Sequence, residues 1–163
     1  MMKLKWFVLL GTFALTIGSA AAQKIDDPAR YRYAYSADGF NQDRDDIAAS
    51  AMTLALFDKA GLSDRLFHFH FNTNFGGEPK HAEEHRKSVL QTALLFGIIK
   101  EENGDDGFFD VSRSEQERRA AIAHIARQIR ISSASDPLRM ICAGGVQTYY
   151  LAVQEAIQEG AGK

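Results

Sequence analysis

Residues 38–46 read Asp38-Gly-Phe-Asn-Gln-Asp-Arg-Asp-Asp46, which places four carboxylates and two amides within nine positions. Like charges this close repel one another unless something compensates them. A helix N-terminus does so modestly, through its free N–H groups and its dipole. A hard cation such as Ca²⁺ does so fully, since it takes roughly six to eight oxygen ligands. A polyhydroxyl ligand is the third candidate. The plainer alternative is a capped helix start whose acids are solvated. Position favours a site. The stretch follows a strand-like run, 31–37, and precedes a helix-like run, 47–60, and ligands of parallel α/β folds gather at the carboxyl ends of strands.

Two further places could do chemistry. Residues 65–72 alternate with period two and are aromatic, a strand signal that ends in Asn72 and Asn74. His68 and His70 fall on one face of that strand, but no third ligand follows at metal spacing, so they read as half-buried strand histidines. Asn72 and Asn74 fall at the strand's carboxyl end, where amides can both donate to and accept from sugar hydroxyls; turn chemistry explains them equally well. The third place is Ala143-Gly144-Gly145, a tight turn that lets backbone approach a ligand and leaves a carbonyl for a cation. No Gly-x-Ser-x-Gly elbow, Gly-x-Gly-x-x-Gly loop or Walker sequence is present.

The elements that must position these residues follow from periodicity. Residues 47–60 are rich in helix formers and end at Gly61 in the C-cap manner. Pro79 opens a second helix, reaching about Gly97. Residues 101–107 read as a polar loop, and Phe108 and Phe109 as a short extended piece. A third helix runs from Ser112 or Ser114 to about Ile131, with Ser114 and Glu117 spaced as a capping box. Residues 138–143 form a compact apolar strand, and residues 146–159 a fourth helix. Strands and helices alternate over short connections, so the fold class is α/β, a mainly parallel sheet flanked by helices in the Rossmann-like manner.

Residues 1–22 have the form of an export signal: a basic head with Lys3 and Lys5, an apolar core, and small residues up to Ala22. Removing those 22 of the 163 residues leaves 141, which suits a single α/β domain over residues 23–163. The expected location is the periplasm or the outside of the cell. One cysteine, Cys142, excludes an intrachain disulfide, and its apolar run suggests a small buried side chain. The net charge of −2, with both signs interspersed, offers no basic footprint for nucleic acid. No membrane association is expected once the signal is removed.

In combination, these residues resemble a known family. The strand, the turn with paired Asp45-Asp46 and the alanine- and leucine-rich helix look like the N-terminal signature of nucleoside hydrolases, Asp-x-Asp-x-x-x-Asp-Asp. Residues 122–152, a helix leading to a strand, Gly144-Gly145 and a further helix, are similar to that family's second landmark. The resemblance spans nearly all of residues 23–163 and the N-terminal half of a typical member. It implies a nucleoside-hydrolase-like fold, incomplete relative to the family, with calcium as cofactor. It matches Asp46, Asn41 and the Ala143 carbonyl to metal ligands. Asp45 falls near the metal and the ribose hydroxyls, and Asn72 or Asn74 at the ribose. The family's water-activating aspartate is here Asn41, a very poor base, so Asp38, Asp43 or Asp45 would have to take the catalytic role. Gln147-Thr148-Tyr149 departs from the usual Leu-Thr-Asn.

The expected activity is hydrolysis of an N-ribosyl bond in a small riboside or sugar ligand, or its remnant in a truncated, weakly active or inactive relative. The family's remaining metal aspartate and its leaving-group acid would fall beyond Lys163. The alternative from another class is a non-catalytic module of the same fold that binds calcium and sugar. A homo-oligomer stays open under either.

Overall fold

The computed structural model describes residues 26–37, 39, 44–72, 79–99 and 107–160. The signal-like residues 1–22, the acidic-turn residues Asp38, Asn41 and Asp43, the loop residue Asn74 and the polar loop 101–106 lie outside them. Strands and helices alternate strictly: β1 (Arg32–Ala37), α1 (Arg44–Lys59), β2 (Leu66–Phe71), α2 (Pro79–Leu95), β3 (Phe108–Asp110), α3 (Glu115–Arg130), β4 (Leu138–Ala143) and α4 (Gln147–Gln158). Single 3₁₀ turns precede β1 and β2. Among the described residues no helix is long and apolar enough to cross a membrane.

All strand pairs are parallel and the sheet order is β3-β2-β1-β4. This is an α/β fold with the strand order of one doubly wound half, and the order reverses between β1 and β4. Alternation along β1 splits the core between two faces. Tyr33 and Ala37 join Leu54 and Phe57 of α1, Val89, Leu90 and Ala93 of α2, and Phe69 and Phe71 of β2. Ala34 points the other way, to Ile122 and Ile125 of α3 and Tyr149 and Ala152 of α4. On the first face Tyr35, Phe69 and Phe108 stack across β1, β2 and β3, with ring centroids 5.3 and 5.2 Å apart and planes within 12° and 9°. On the second, Ala121, Ala126, Ala152 and Ala156 are fully buried, and their small side chains let α3 and α4 lie close together.

The strict alternation expected of β2 is interrupted once. Tyr33 pairs with Leu66 but Ala34 with His68, so one extra residue, Phe67, is inserted as a bulge. Leu66 thereby joins the aromatic face, while Phe67 is exposed beneath the guanidinium groups of Arg32 and Arg65.

Two expectations need correction. α1 begins at Arg44, so Asp45 and Asp46 sit inside its first turn rather than before it; a helix start tolerates carboxylates there because its dipole and free N–H groups favour them. Cys142 is exposed. An apolar run reads as buried only if something covers it, and β4 lies at the edge of the sheet with Met140 and Ile141 also exposed.

Gly107 leads into β3 with φ of 82°, and a Cβ there would overlap the carbonyl oxygen of Phe67. Gly107→Ala should therefore cost about 2 kcal/mol or more in chemical denaturation, combining left-handed backbone strain with the clash. Gly145→Ala, which would meet nothing within 4 Å, is the control and should be close to neutral.

Candidate functional site

The carboxyl ends of all four strands border one cavity of about 350 Å³. Ser36 and Ala37 end β1; His70 and Asn72 lie at the end of β2; Val111, Ser112 and Ser114 join β3 to α3; Gly145 joins β4 to α4, which opens with Gln147 and Thr148. The cavity thus sits at the topological switch point, where open α/β sheets bind ligands. Its volume is at the small end of ligand pockets, about 300–1,000 Å³. Glu115 and Arg118 complete the wall and form an ion pair with each other. Among the described residues the rest of the polar lining is hydroxyls, amides and an imidazole; Glu115 is also paired with Arg119 at 3.0 Å.

Local chemistry holds each wall in place. Ser114 caps α3 by accepting from the Glu117 N–H at 3.0 Å. Glu117 does not return to Ser114, as a full capping box would; its carboxylate accepts from the Asp110 N–H at 2.9 Å and so ties α3 to β3. Asp110, buried, accepts from the Ser112 N–H and hydroxyl at 3.2 and 2.8 Å. Gly39 is buried against the end of β2: a Cβ there would overlap the Asn72 carbonyl. Only glycine permits that approach, so the turn after β1 is pressed onto the amide residue expected to meet a ligand.

Of the predicted site residues, Asn72 borders the cavity. The Ala143 position, paired with Ala37 in the β1–β4 register, lies at the same edge. Asp45 is exposed, Asp46 is partly buried, and neither lines the cavity. Asp46 is linked into the structure through its carbonyl, which accepts from the Ser50 hydroxyl at 3.2 Å; Ser50 in turn meets His85 Nε2 of α2 at 3.1 Å. Asp38, Asn41, Asp43 and Asn74 lie outside the described residues. Among the described residues no group of three or more His, Cys, Asp or Glu side chains could hold a metal ion. Asp45 and Asp46 alone do not complete a calcium shell.

Behind the cavity lies a feature that spacing along the chain did not indicate. His68 and His70 are fully buried rather than half-buried, at 0 and 2% exposure. His68 Nδ1 lies 3.0 Å from His124 Nδ1 of α3, and His68 Nε2 lies 2.9 Å from His70 Nδ1. The three rings form a line and do not converge on a point. The line continues through Gln128, whose Nε2 is 3.5 Å from His124 Nε2 and whose Oε1 accepts from Arg32 at 2.5 Å. Arg32 also donates to the Gln128 carbonyl at 3.1 Å and pairs with Asp136 through Nε at 2.8 Å. A polar row therefore crosses the sheet from its amino edge to the cavity. The signal in the sequence was the polar stripe Arg32 and Ser36 on one face of β1, together with His124 and Gln128 four residues apart among buried Ala121, Ile122, Ile125 and Ala126 of α3.

Burial holds His68 and His70 neutral. His68 is lowered well below the ordinary imidazole value by desolvation and then by its two histidine neighbours. Desolvation lowers His70 from 6.5 to about 4, and lowers His85 as well, partly opposed by Asp110. Burial also pushes the Tyr149 phenol upward, with Cys142 and Tyr35 adding to it. A depressed imidazole pKa means that the unfolded chain binds more protons than the folded one between about pH 4 and 6.5. Stability is thus fully present above pH 6.5 and falls as the pH drops through that window. At about 1.4 kcal/mol per unit, His70 alone contributes on the order of 3 kcal/mol. The melting temperature should be flat from pH 8 to 7 and fall steeply from 6.5 to 4.5, less steeply in His70→Gln. A flat profile down to pH 4.5 would refute the account.

No protein-family model matches the chain, and no solved structure matches it. A protein of Formosa agariphila described as uncharacterized protein P22 is 33% identical over 134 residues, which are 79% of this chain and 48% of that protein. The chain spans about half the length of the curated relative it matches.

Proposed function

We propose that the chain is the ligand-recognising part of an exported nucleoside-hydrolase-like protein, and that the switch-point cavity takes a small polyhydroxylated ligand, the sugar of a riboside or a free monosaccharide. The observation that supports this best is the composition of the wall: Ser36, Asn72, Ser112, Gln147 and Thr148 border one small space whose charged side chains, among the described residues, are Glu115 and Arg118, paired with each other. Hydroxyls and amides both donate and accept, as a diol requires. A phosphate or carboxylate ligand would call for an unpaired cation. Hydrolysis of the N-ribosyl bond is then the activity of the longer protein. Export rests on residues 1–22 alone.

Calcium belongs to the same proposal, since the resemblance assigns it to the acidic turn. Asp46 would hold it together with Asp38, Asn41 or Asp43 and the Ala143 carbonyl. When bound, the ion would lower the pKa of a coordinated water. The chain's own residues orient the sugar, with Asn72 fixed by the pressure of Gly39 on its carbonyl.

Binding is tested by calorimetric titration of the full chain with ribose, uridine and inosine. Asn72→Ala should weaken any binding about tenfold or more, the cost of one lost hydrogen-bonding partner in a closed site. If none of the three ligands binds the unaltered chain, the carbohydrate reading fails.

Calcium at a hundredfold excess over its Kd should add about 2.7 kcal/mol to stability. Asp46→Asn should remove the resulting rise in melting temperature, while Asp58→Asn, at the other end of α1, should keep it. Equal rises in both variants would place the cation elsewhere.

A further inference from the structure

We propose that the free edge of β4 is the seam of a homodimer, in which two copies join antiparallel about a two-fold axis at Ile141 into one eight-stranded sheet. The direction of the backbone groups along β4 carries the argument. In a parallel pair, alternate residues aim both their N–H and their C=O at the neighbouring strand. Arg32 pairs with Leu138, and its N–H donates to the Pro137 carbonyl at 2.9 Å. The register between β1 and β4 is unbroken, so Arg139, Ile141 and Ala143 also aim their backbone groups at β1. Leu138, Met140 and Cys142 aim theirs outward. The Leu138 N–H is already taken by the Ser132 hydroxyl at 2.9 Å. The N–H and C=O groups of Met140 and Cys142 remain, on exposed residues and with no partner among the described residues.

These four groups are self-complementary. With the axis at Ile141, Met140 of each copy lies opposite Cys142 of the other. Each such pair exchanges two hydrogen bonds, so all four groups of both copies are satisfied. An axis at Met140 would instead set Cys142 against Leu138 and call on the N–H that Ser132 holds.

Side chains and charge agree with this seam. Met140 is in register with Ala34 and so lies on the α3/α4 side of the sheet, while Ile141 is in register with Tyr35 on the aromatic side. On α4, Val146, Tyr150 and Ile157 are each more than half exposed. With the partly buried Val153 they repeat at helical spacing and make one apolar stripe. The groove between α3 and α4 is lined by Leu151, Gln154, Glu155 and Gln158; the stripe is on the opposite flank of α4, above the β4 edge. A two-fold axis perpendicular to the sheet lays the two stripes side by side. No like charges meet: Arg139 is 3.6 Å from Asp26 of its own copy and would face Ala143 of the other. The five exposed apolar side chains, Met140, Ile141, Val146, Tyr150 and Ile157, amount to about 1,000 Å² over two copies, the lower bound for a specific interface. Antiparallel joining puts the two switch-point cavities at opposite ends of the sheet, so the seam is independent of the ligand reading.

Sedimentation velocity of the full chain at roughly 100 μM, above the micromolar Kd expected of so small an interface, should show a particle of twice 18.1 kDa. Met140→Pro removes an outward N–H and leaves the β1 ladder intact; it should give a monomer with unchanged circular dichroism. Register is read from Ile141→Cys in a Cys142→Ser background. A non-hydrogen-bonded antiparallel pair holds its Cα atoms about 4.5 Å apart, within disulfide reach, so diamide should link the two copies covalently. Met52→Cys in the same background, exposed on α1, is the control and should stay unlinked. A monomeric unaltered chain overturns the proposal and leaves the edge to a strand of another protein. A dimer retained by a folded Met140→Pro variant overturns it as well. So does a dimer in which Ile141→Cys links no more readily than Met52→Cys, whether or not the proline variant folds.

Discussion

The buried guanidinium of Arg32 is the constraint from which most of this structure follows. Taking a charge out of water costs several kcal/mol unless it is paired and hydrogen-bonded. Arg32 is held by groups from two other elements. Its Nη atoms donate to the side chain and carbonyl of Gln128 on α3, and its charge is paired with Asp136 in the turn before β4, although its Nε–H makes no hydrogen bond. Asp136 also receives Arg65 from the turn before β2, at 2.9 Å. The amino edge of the sheet is thus held together by one carboxylate and two guanidiniums, and α3 cannot slide along β1 without stranding a charge. Apolar packing alone is more forgiving of such slips.

The two faces of the sheet are built on different logics. The α1/α2 face is aromatic, where stacked rings bury a large area and tie three strands together. The α3/α4 face is alanine-rich, and its small side chains bring the helices close enough for a row of histidines to be sealed from water. Sealing is what keeps His68 and His70 neutral, because burial disfavours the charged imidazolium. The apolar packing of one layer is therefore a condition for the polar chemistry of the other.

Much of this was legible in the sequence because it is periodic. The alternation in residues 65–72 and the apolar run 138–143 located β2 and β4 to within a residue, and Ser114 located the cap of α3. Parallel alternation then brings every strand's carboxyl end to one edge, which is why Asn72 and the Gly144-Gly145 turn fall together. What periodicity cannot convey is who covers whom. Cys142 and Met140 look buried until β4 proves to be an edge strand. The histidine row was hidden for a related reason: His68 and His70 are two residues apart, but their partner His124 comes from a helix fifty-six positions away. The role of Gly39 was equally invisible, since it depends on a carbonyl of a different strand.

Strand order bears on where further strands could join this sheet. In doubly wound sheets of order 3-2-1-4-5-6 the ligand crevice opens between strands 1 and 4, and the second half adds its strands beyond strand 4. Here the two free edges are unequal. β3 has three residues, whereas β4 has six and exposes Met140 and Ile141 beside Val146 and Tyr150 at the start of α4. A full-length strand could pair only along β4, and an open strand with apolar flanks is a ready template for one. Strands added there would extend the carboxyl edge on the far side of the cavity from His70. Groups on such strands would approach the cavity from the side of Gly145 and Gln147, opposite His70.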